Sequence, residues 1–282
     1  MNLAIQKISP QHLISRFFGL IANLSFCPRL KNWAIKTYIR AYHIDMSEAQ
    51  DEQIEAYPSF NHFFIRRLKP ELRPIANGSN EIASPVDGRI SQIGRITMGK
   101  LLQAKGFNYQ LTDLLAGRQM ASFENGYFAT CYLSPKDYHR IHMPFTGTLQ
   151  EMSYIPGKLF SVNPATVQGI DNLFARNERA VCIFQTEIGP MAIILVGAII
   201  VAGMNTIWHG DIKKNKKIQH WQYNEKTPIM LQRGEEMGHF KLGSTVILLF
   251  SQSSQLQWLD NLQQHTAIKC GQLLAHIQKD KC

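Results

Sequence analysis

A serine that follows a glycine at the mouth of an apolar run can attack the carbonyl immediately behind it. This chain carries that arrangement at Leu242-Gly243-Ser244-Thr245, ahead of Val246-Ile247-Leu248-Leu249-Phe250. Glycine at the attacked position has no Cβ, so a strained approach is less hindered. The hydroxyl must lose its proton as it attacks. A neutral imidazole is the natural base, and a carboxylate behind that ring fixes its tautomer and stabilises the imidazolium. Read bare, the same tetrapeptide also suits a turn whose hydroxyl bonds the backbone.

Imidazoles and a carboxylate of the required type lie elsewhere in the chain. His139 and His142 fall within Tyr132-Leu133-Ser134-Pro135-Lys136-Asp137-Tyr138-His139-Arg140-Ile141-His142-Met143-Pro144. Two histidines at i, i+3 would share a helix face, but without a third ligand they make a poor zinc site, and we expect no metal. Asp87 stands in Ala83-Ser84-Pro85-Val86-Asp87-Gly88-Arg89-Ile90, where Pro85-Val86-Asp87-Gly88 is also a good β-turn sequence. Nothing local brings these three segments together, so the elements around them must.

Residues 1–45 read as amphipathic helix, with apolar residues at spacings of three and four. Ser47-Glu48-Ala49-Gln50 predicts the start of another helix, with Asp51, Glu52 and Glu55 in its early turns. From Ile82 onward the pattern turns to short β-rich segments broken by Gly, Pro and Asn, among them 126–133, 180–186, 191–202 and 244–250. Residues 191–207 hold no charged side chain and approach membrane-spanning length. They are β-branched and cut by Gly197 and Gly203, which predicts two buried strands or one bent strand and no transmembrane helix. The run Lys213-Lys214-Asn215-Lys216-Lys217 reads as a solvated loop.

The chain has 282 residues with a formal net charge of +9, enough for one sizeable domain with an appendage. Five scattered cysteines with no Cys-x-x-Cys pair argue against a disulfide framework and fit a reducing compartment. Lys7, Arg16, Arg29, Lys31, Lys36 and Arg40 are the only charges among residues 1–42. Set among aliphatics, they suit either a membrane-surface segment or a helical hairpin packed on its own domain with a solvated charged face. Nucleic acid is not an expected partner, because no recognition motif or stacking aromatic set accompanies the charge.

The Asp87, His139–His142 and Ser244 segments, with Tyr57-Pro58-Ser59-Phe60-Asn61-His62-Phe63-Phe64-Ile65-Arg66-Arg67-Leu68-Lys69-Pro70, resemble the phosphatidylserine decarboxylase proenzymes of the bacterial and mitochondrial type. The resemblance runs in order from about Ser47 to Phe250. It implies self-cleavage at Gly243-Ser244 into residues 1–243 and 244–282, with Ser244 as nucleophile, His142 as base and Asp87 orienting it. An ester and then a dehydroalanine would lead to a pyruvoyl group derived from Ser244, replacing pyridoxal phosphate as electron sink. That group would take the amine of phosphatidylserine as a Schiff base and release carbon dioxide and phosphatidylethanolamine, with His139 as candidate proton donor. Ser161 and Asn163, in Gly157-Lys158-Leu159-Phe160-Ser161-Val162-Asn163, are candidates to bind the headgroup; a polar turn between strands is the other reading. The resemblance also implies a homodimer held at a phospholipid membrane, on the cytoplasmic face of a bacterial cell.

The expected fold is α+β: a helical, membrane-associating segment at 1–45 on a mainly antiparallel β domain at 46–282. A serine-type lipid hydrolase using Asp87, His142 and Ser244 without self-cleavage is the alternative. It lacks the Gly-x-Ser-x-Gly elbow such an enzyme would place around Ser244. A non-enzymatic lipid-binding or carrier domain would leave the three reactive residue types unexplained.

Overall fold

No residue of 246–250 is suited to water, and the chain uses this run inside its largest sheet. The computed structural model describes residues 27–104, 107–199, 203–223, 227–241 and 244–278. In chain order, the strands that frame the reactive segments are β1 (Gly88–Arg95), β2 (Tyr127–Leu133), β3 (Arg140–His142), β4 (Gly147–Ile155), β5 (Arg179–Thr186), β6 (Gly189–Val196), β7 (Gly203–Thr206), β8 (Glu236–Lys241) and β9 (Ser244–Phe250). Among the described residues the main sheet has nine strands. It runs Gln219–Gln222, β4, β5, β6, β9, β2, β1, Ala267–Ile268, with Met230–Leu231 also on β4. Every pairing in it is antiparallel.

Strand β9 is buried along its whole length and bonded on both edges, to β2 and to β6. Full burial of each large apolar side chain is worth roughly 1.5–3 kcal/mol over exposure, so this short strand is strongly anchored. A four-stranded sheet, Gly210–Asp211, β7, β8, β3, stands beside it. The uncharged stretch 191–207 is divided between the two: β6 ends at Val196 in the main sheet, and β7 lies in the smaller one, with 200–202 outside the described residues. The fold is α+β, as its pattern of short strands predicted.

Helix α1 (Pro28–Tyr42) is the described part of the expected helical segment; residues 1–26 lie outside the described residues. Ile35 is fully buried against Tyr57 and Phe63, while Leu30 and Trp33 are 59% and 64% exposed. One face therefore packs on the protein and another presents apolar side chains among Arg29, Lys36 and Arg40. The short helix α2 (Phe60–Phe64) is capped by Ser59 and lies under α1.

The helix expected from Ser47 does not form. Met46–Glu48 and Ile54–Ala56 are single 3-10 turns. Between them the backbone pairs with the chain after α2: Gln50 N donates to Arg67 O at 2.8 Å, and Lys69 N to Glu48 O at 3.0 Å. Those tertiary bonds satisfy the groups a helix would have used, and they override a marginal local propensity.

Candidate active site

Strand β8 brings the C-terminal reactive segment to the histidines. It pairs with β3 so that His239 faces Arg140, Gly238 faces Ile141 and Glu236 faces His142. A Cβ on Gly238 would fall 2.1 Å from the Asn205 carbonyl oxygen, so only glycine admits the approach of β7. Leu242 and Gly243 lie outside the described residues, and with them the carbonyl expected to be attacked. The chain resumes at Ser244, opposite Leu133 at the end of β2. From Leu133 a short loop, 134–138, leads to His139. Gly88, immediately after Asp87, also lies against β2: a Cβ there would meet the Tyr132 carbonyl oxygen at 2.3 Å. Ser244, the His139 loop and the residue after Asp87 thus meet the end of β2, and His142 N donates to Pro85 O at 2.9 Å, two residues before Asp87.

Ser244 is fully buried, and its Oγ has no hydrogen-bond partner among the described residues. A buried hydroxyl left unsatisfied costs about 1–3 kcal/mol, and native proteins rarely keep one without a use for it. Among the described residues the hydroxyl caps no backbone group.

His139 is also fully buried, stacked on Phe64 with ring centroids 4.0 Å apart. Its Nε2 lies 3.1 Å from the Ser134 carbonyl oxygen. A carbonyl only accepts, so Nε2 carries the hydrogen, and the neutral ring keeps its lone pair on Nδ1. Nδ1 has no partner. Burial, and then the nearby Arg66 guanidinium, push the His139 pKa down to about 3. The resting ring is therefore a neutral base whose Nδ1 is unpartnered among the described residues.

His142 is held differently. Its Nδ1 lies 2.8 Å from the Gly234 carbonyl oxygen and so donates to it, which leaves Nε2 to accept from the Tyr138 hydroxyl at 3.0 Å. Burial lowers its pKa, so this ring too favours the neutral form. Asp87 is clamped by Arg73, whose Nε donates to Oδ1 at 2.9 Å and whose Nη2 donates to Oδ2 at 2.6 Å. Cys270 N donates to Asp87 Oδ1 at 2.8 Å, and Arg73 also bonds Glu48. The structure brings Asp87 and His142 into one electrostatic neighbourhood, where the Gly234 carbonyl, Glu236 and, more weakly, Asp87 favour a protonated His142. It does not join Asp87, His142 and Ser244 in a hydrogen-bonded line. His142 lines a cavity of about 380 Å³ with Tyr138, Arg73, Arg67 and Lys69.

Asn163 Oδ1 accepts from Thr166 N and Oγ1, both at 2.9 Å, and caps the short helix Pro164–Val167. Asn163 N donates to Ser161 Oγ at 3.4 Å. Both candidates for the headgroup thus sit in a polar turn. Tyr138, Arg73, Arg66 and Phe64 were not singled out from sequence. Tyr138, Arg66 and Phe64 lie inside the quoted motifs, and a tyrosine four residues before a histidine was the one signal available for Tyr138. Nothing local marks Arg73. Among the described residues no group of three or more His, Cys, Asp or Glu side chains is placed to hold a metal ion.

Comparison with known proteins places this arrangement in context. A family model described as phosphatidylserine decarboxylase matches residues 60–276, and one described as PSD matches residues 1–43. The phosphatidylserine decarboxylase proenzyme of Bordetella avium is 51% identical over 276 residues, spanning 97% of this chain and 93% of that protein. That of Shewanella frigidimarina is 48% identical over 285 residues, with 99% of each chain covered. That of Alcanivorax borkumensis is 49% identical over 284 residues, covering 99% of this chain and 97% of the relative.

Proposed function

This chain belongs to the phosphatidylserine decarboxylase family, and we propose that it matures by cutting itself at Gly243-Ser244 before it decarboxylates phosphatidylserine to phosphatidylethanolamine. The observation that carries this reading is the buried Ser244 Oγ, without a partner among the described residues, at the first residue of a strand bonded on both edges. A buried hydroxyl with no partner among the described residues, on the residue paired with Leu133 from which the His139 loop departs, is ready to react.

In the cleavage step Ser244 Oγ bonds to the Gly243 carbonyl carbon as its proton passes to a base. The C–N bond then breaks, the nitrogen takes a proton, and an ester joins the two segments. His142 is the assigned base. Its Nε2 lone pair is engaged by the Tyr138 hydroxyl, so the phenol must yield or relay the proton. The Arg73-clamped Asp87 favours the imidazolium that results. Loss of the Ser244 α-proton expels the Gly243 carboxylate and leaves a dehydroalanine, which hydrolyses with release of ammonia. The group so formed would stand at the head of β9, and its ketone would supply an electron sink for the departing carboxylate. The surroundings fit it: a buried end of strand, no competing hydrogen bond to Ser244 Oγ among the described residues, and His139 on the loop that leaves Leu133 opposite Ser244. His139 can hold the proton given up by the substrate amine and return it to the α-carbon.

Intact mass of the purified protein under denaturing conditions tests the proposal. Two fragments dividing at Gly243-Ser244, the smaller with a blocked N-terminus and a pyruvoyl mass, are expected. A fully active single chain of unprocessed mass would overturn it. Because β9 keeps both of its sheet partners, the smaller fragment should stay bound without a covalent link.

Membrane-surface binding belongs to the same proposal. Leu30 and Trp33 stand exposed on α1 beside basic residues, a pattern suited to anionic lipid. Among the described residues no helix is long and apolar enough to cross a membrane. Since Ile35 anchors α1 in the protein, substitution is a cleaner test than deletion. Leu30→Glu with Trp33→Glu should lower cosedimentation with anionic vesicles several-fold while leaving processing complete. Unchanged sedimentation would refute the surface assignment.

A further inference from the structure

The loop that carries His139 is held from outside the β domain. Its turn is closed by Asp137, whose Oδ2 accepts from Ser134 N at 2.7 Å and from Ser134 Oγ at 2.6 Å. Three consecutive carbonyls then each accept from a different side chain. Ser134 O accepts from His139 Nε2 at 3.1 Å, Pro135 O from the Tyr38 hydroxyl at 3.0 Å, and Lys136 O from Arg66 Nη2 at 3.2 Å. Tyr38 belongs to α1, and Arg66 follows α2.

Tyr38 reaches the same histidine by a second route. Its ring packs edge-on against Phe64, with centroids 6.2 Å apart and planes at 70°. Phe64 in turn stacks on His139 at 4.0 Å and 26°. Phe60 and Phe63 complete the aromatic cluster around Tyr38, at 5.1 and 6.2 Å. The hydroxyl therefore fixes the backbone next to the carbonyl that sets the His139 tautomer, and the ring supports the face on which the imidazole lies.

We propose that Tyr38 is a positioning residue for His139, so that α1 is part of the decarboxylation machinery as well as a segment at the protein surface. This rests on the catalytic role assigned to His139 above. With the Tyr38 hydroxyl gone, Pro135 O loses its phenolic donor and the 134–137 turn can shift. The free Nδ1 then loses its aim, and proton transfer is sensitive to displacements near 1 Å. The cleavage step, assigned to His142 and Ser244, does not use this contact.

The test uses the full chain with Tyr38→Phe, which keeps the ring in its aromatic cluster. Activity on phosphatidylserine in mixed micelles should show kcat lowered about tenfold, KM within about twofold of wild type, and processing complete by mass. A second readout is independent of turnover. In protein labelled with ¹⁵N-histidine, the ring resonances of His139, identified by their loss in His139→Gln, should move in Tyr38→Phe. Unchanged kcat, or unmoved His139 resonances, would overturn the positioning role. A His139→Gln protein with wild-type kcat would instead overturn the role given to His139. The two failures are thus told apart.

Discussion

Ser244→Ala is expected to yield one uncleaved chain with no measurable decarboxylation, and that chain should be more stable than the wild-type precursor. The loss follows from the chemistry: without Oγ there is no nucleophile for the Gly243 carbonyl and no route to the carbonyl group that would accept electrons. Several orders of magnitude in rate should disappear together with the smaller fragment. The gain follows from burial. Ser244 Oγ is fully enclosed and bonded to nothing among the described residues, so alanine relieves a desolvation cost of about 1–3 kcal/mol. Compared with an unprocessed wild-type sample, the variant should melt a few degrees higher. Stability given up at a reactive position is a common trade. Mass, activity and a thermal melt check the three parts, and a cleaved, active Ser244→Ala protein would sink the mechanism.

His139→Gln is expected to separate the two reactions. Cleavage should go to completion, because the base assigned to it is His142, while decarboxylation falls about 10²–10⁴-fold, the usual contribution of a positioned proton carrier. The same variant carries a pH signature. The folded-state pKa of His139 is about 3, below the value near 6.5 of an unfolded histidine. As pH falls from 6.5 toward 3 the unfolded chain binds the proton and the folded chain does not. Stability from the neutral ring is therefore complete above pH 6.5 and is lost below it, by up to about 1.4 kcal/mol per pH unit. Removing the group should flatten that slope. Urea midpoints at pH 7 and pH 5, for wild type and variant, measure it. His142, also lowered by burial, should leave a residual slope. Equal slopes in the two proteins would show that His139 titrates normally.

The hydrolase alternative predicts a different pattern for both variants. A hydrolase would keep an intact chain and an addressable serine hydroxyl. In this fold Ser244 is the first residue of an interior strand with none of its surface exposed, which is poor placement for a lipid ester and good placement for attack on the adjacent peptide bond.

Much of this protein is legible locally. The apolar run 246–250 can only be an interior strand, and Gly197 and Gly203 divide 191–207 into two strands and not a spanning helix. Residue types for nucleophile, base and carboxylate can be read at Ser244, His139, His142 and Asp87, because side-chain chemistry and short-range periodicity are local properties. Their arrangement is not. The Ser47 segment was lost as a helix to backbone bonds with Arg67 and Lys69. The partner of His142 Nδ1 is a carbonyl 92 positions away, the Asp87 clamp comes from Arg73, and Asn163 turned inward to cap a helix. Which histidine is free at Nδ1 and which is capped by a phenol depends on strand register and ring packing. Those are set when β9 seats between β2 and β6 and α1 closes over Phe64. Sequence by itself determined the candidate groups and most of the strands around them. The tertiary structure decided which nitrogen, which hydroxyl and which carbonyl meet, because hydrogen-bond partners are chosen by distances of a few ångströms between segments that the chain keeps far apart.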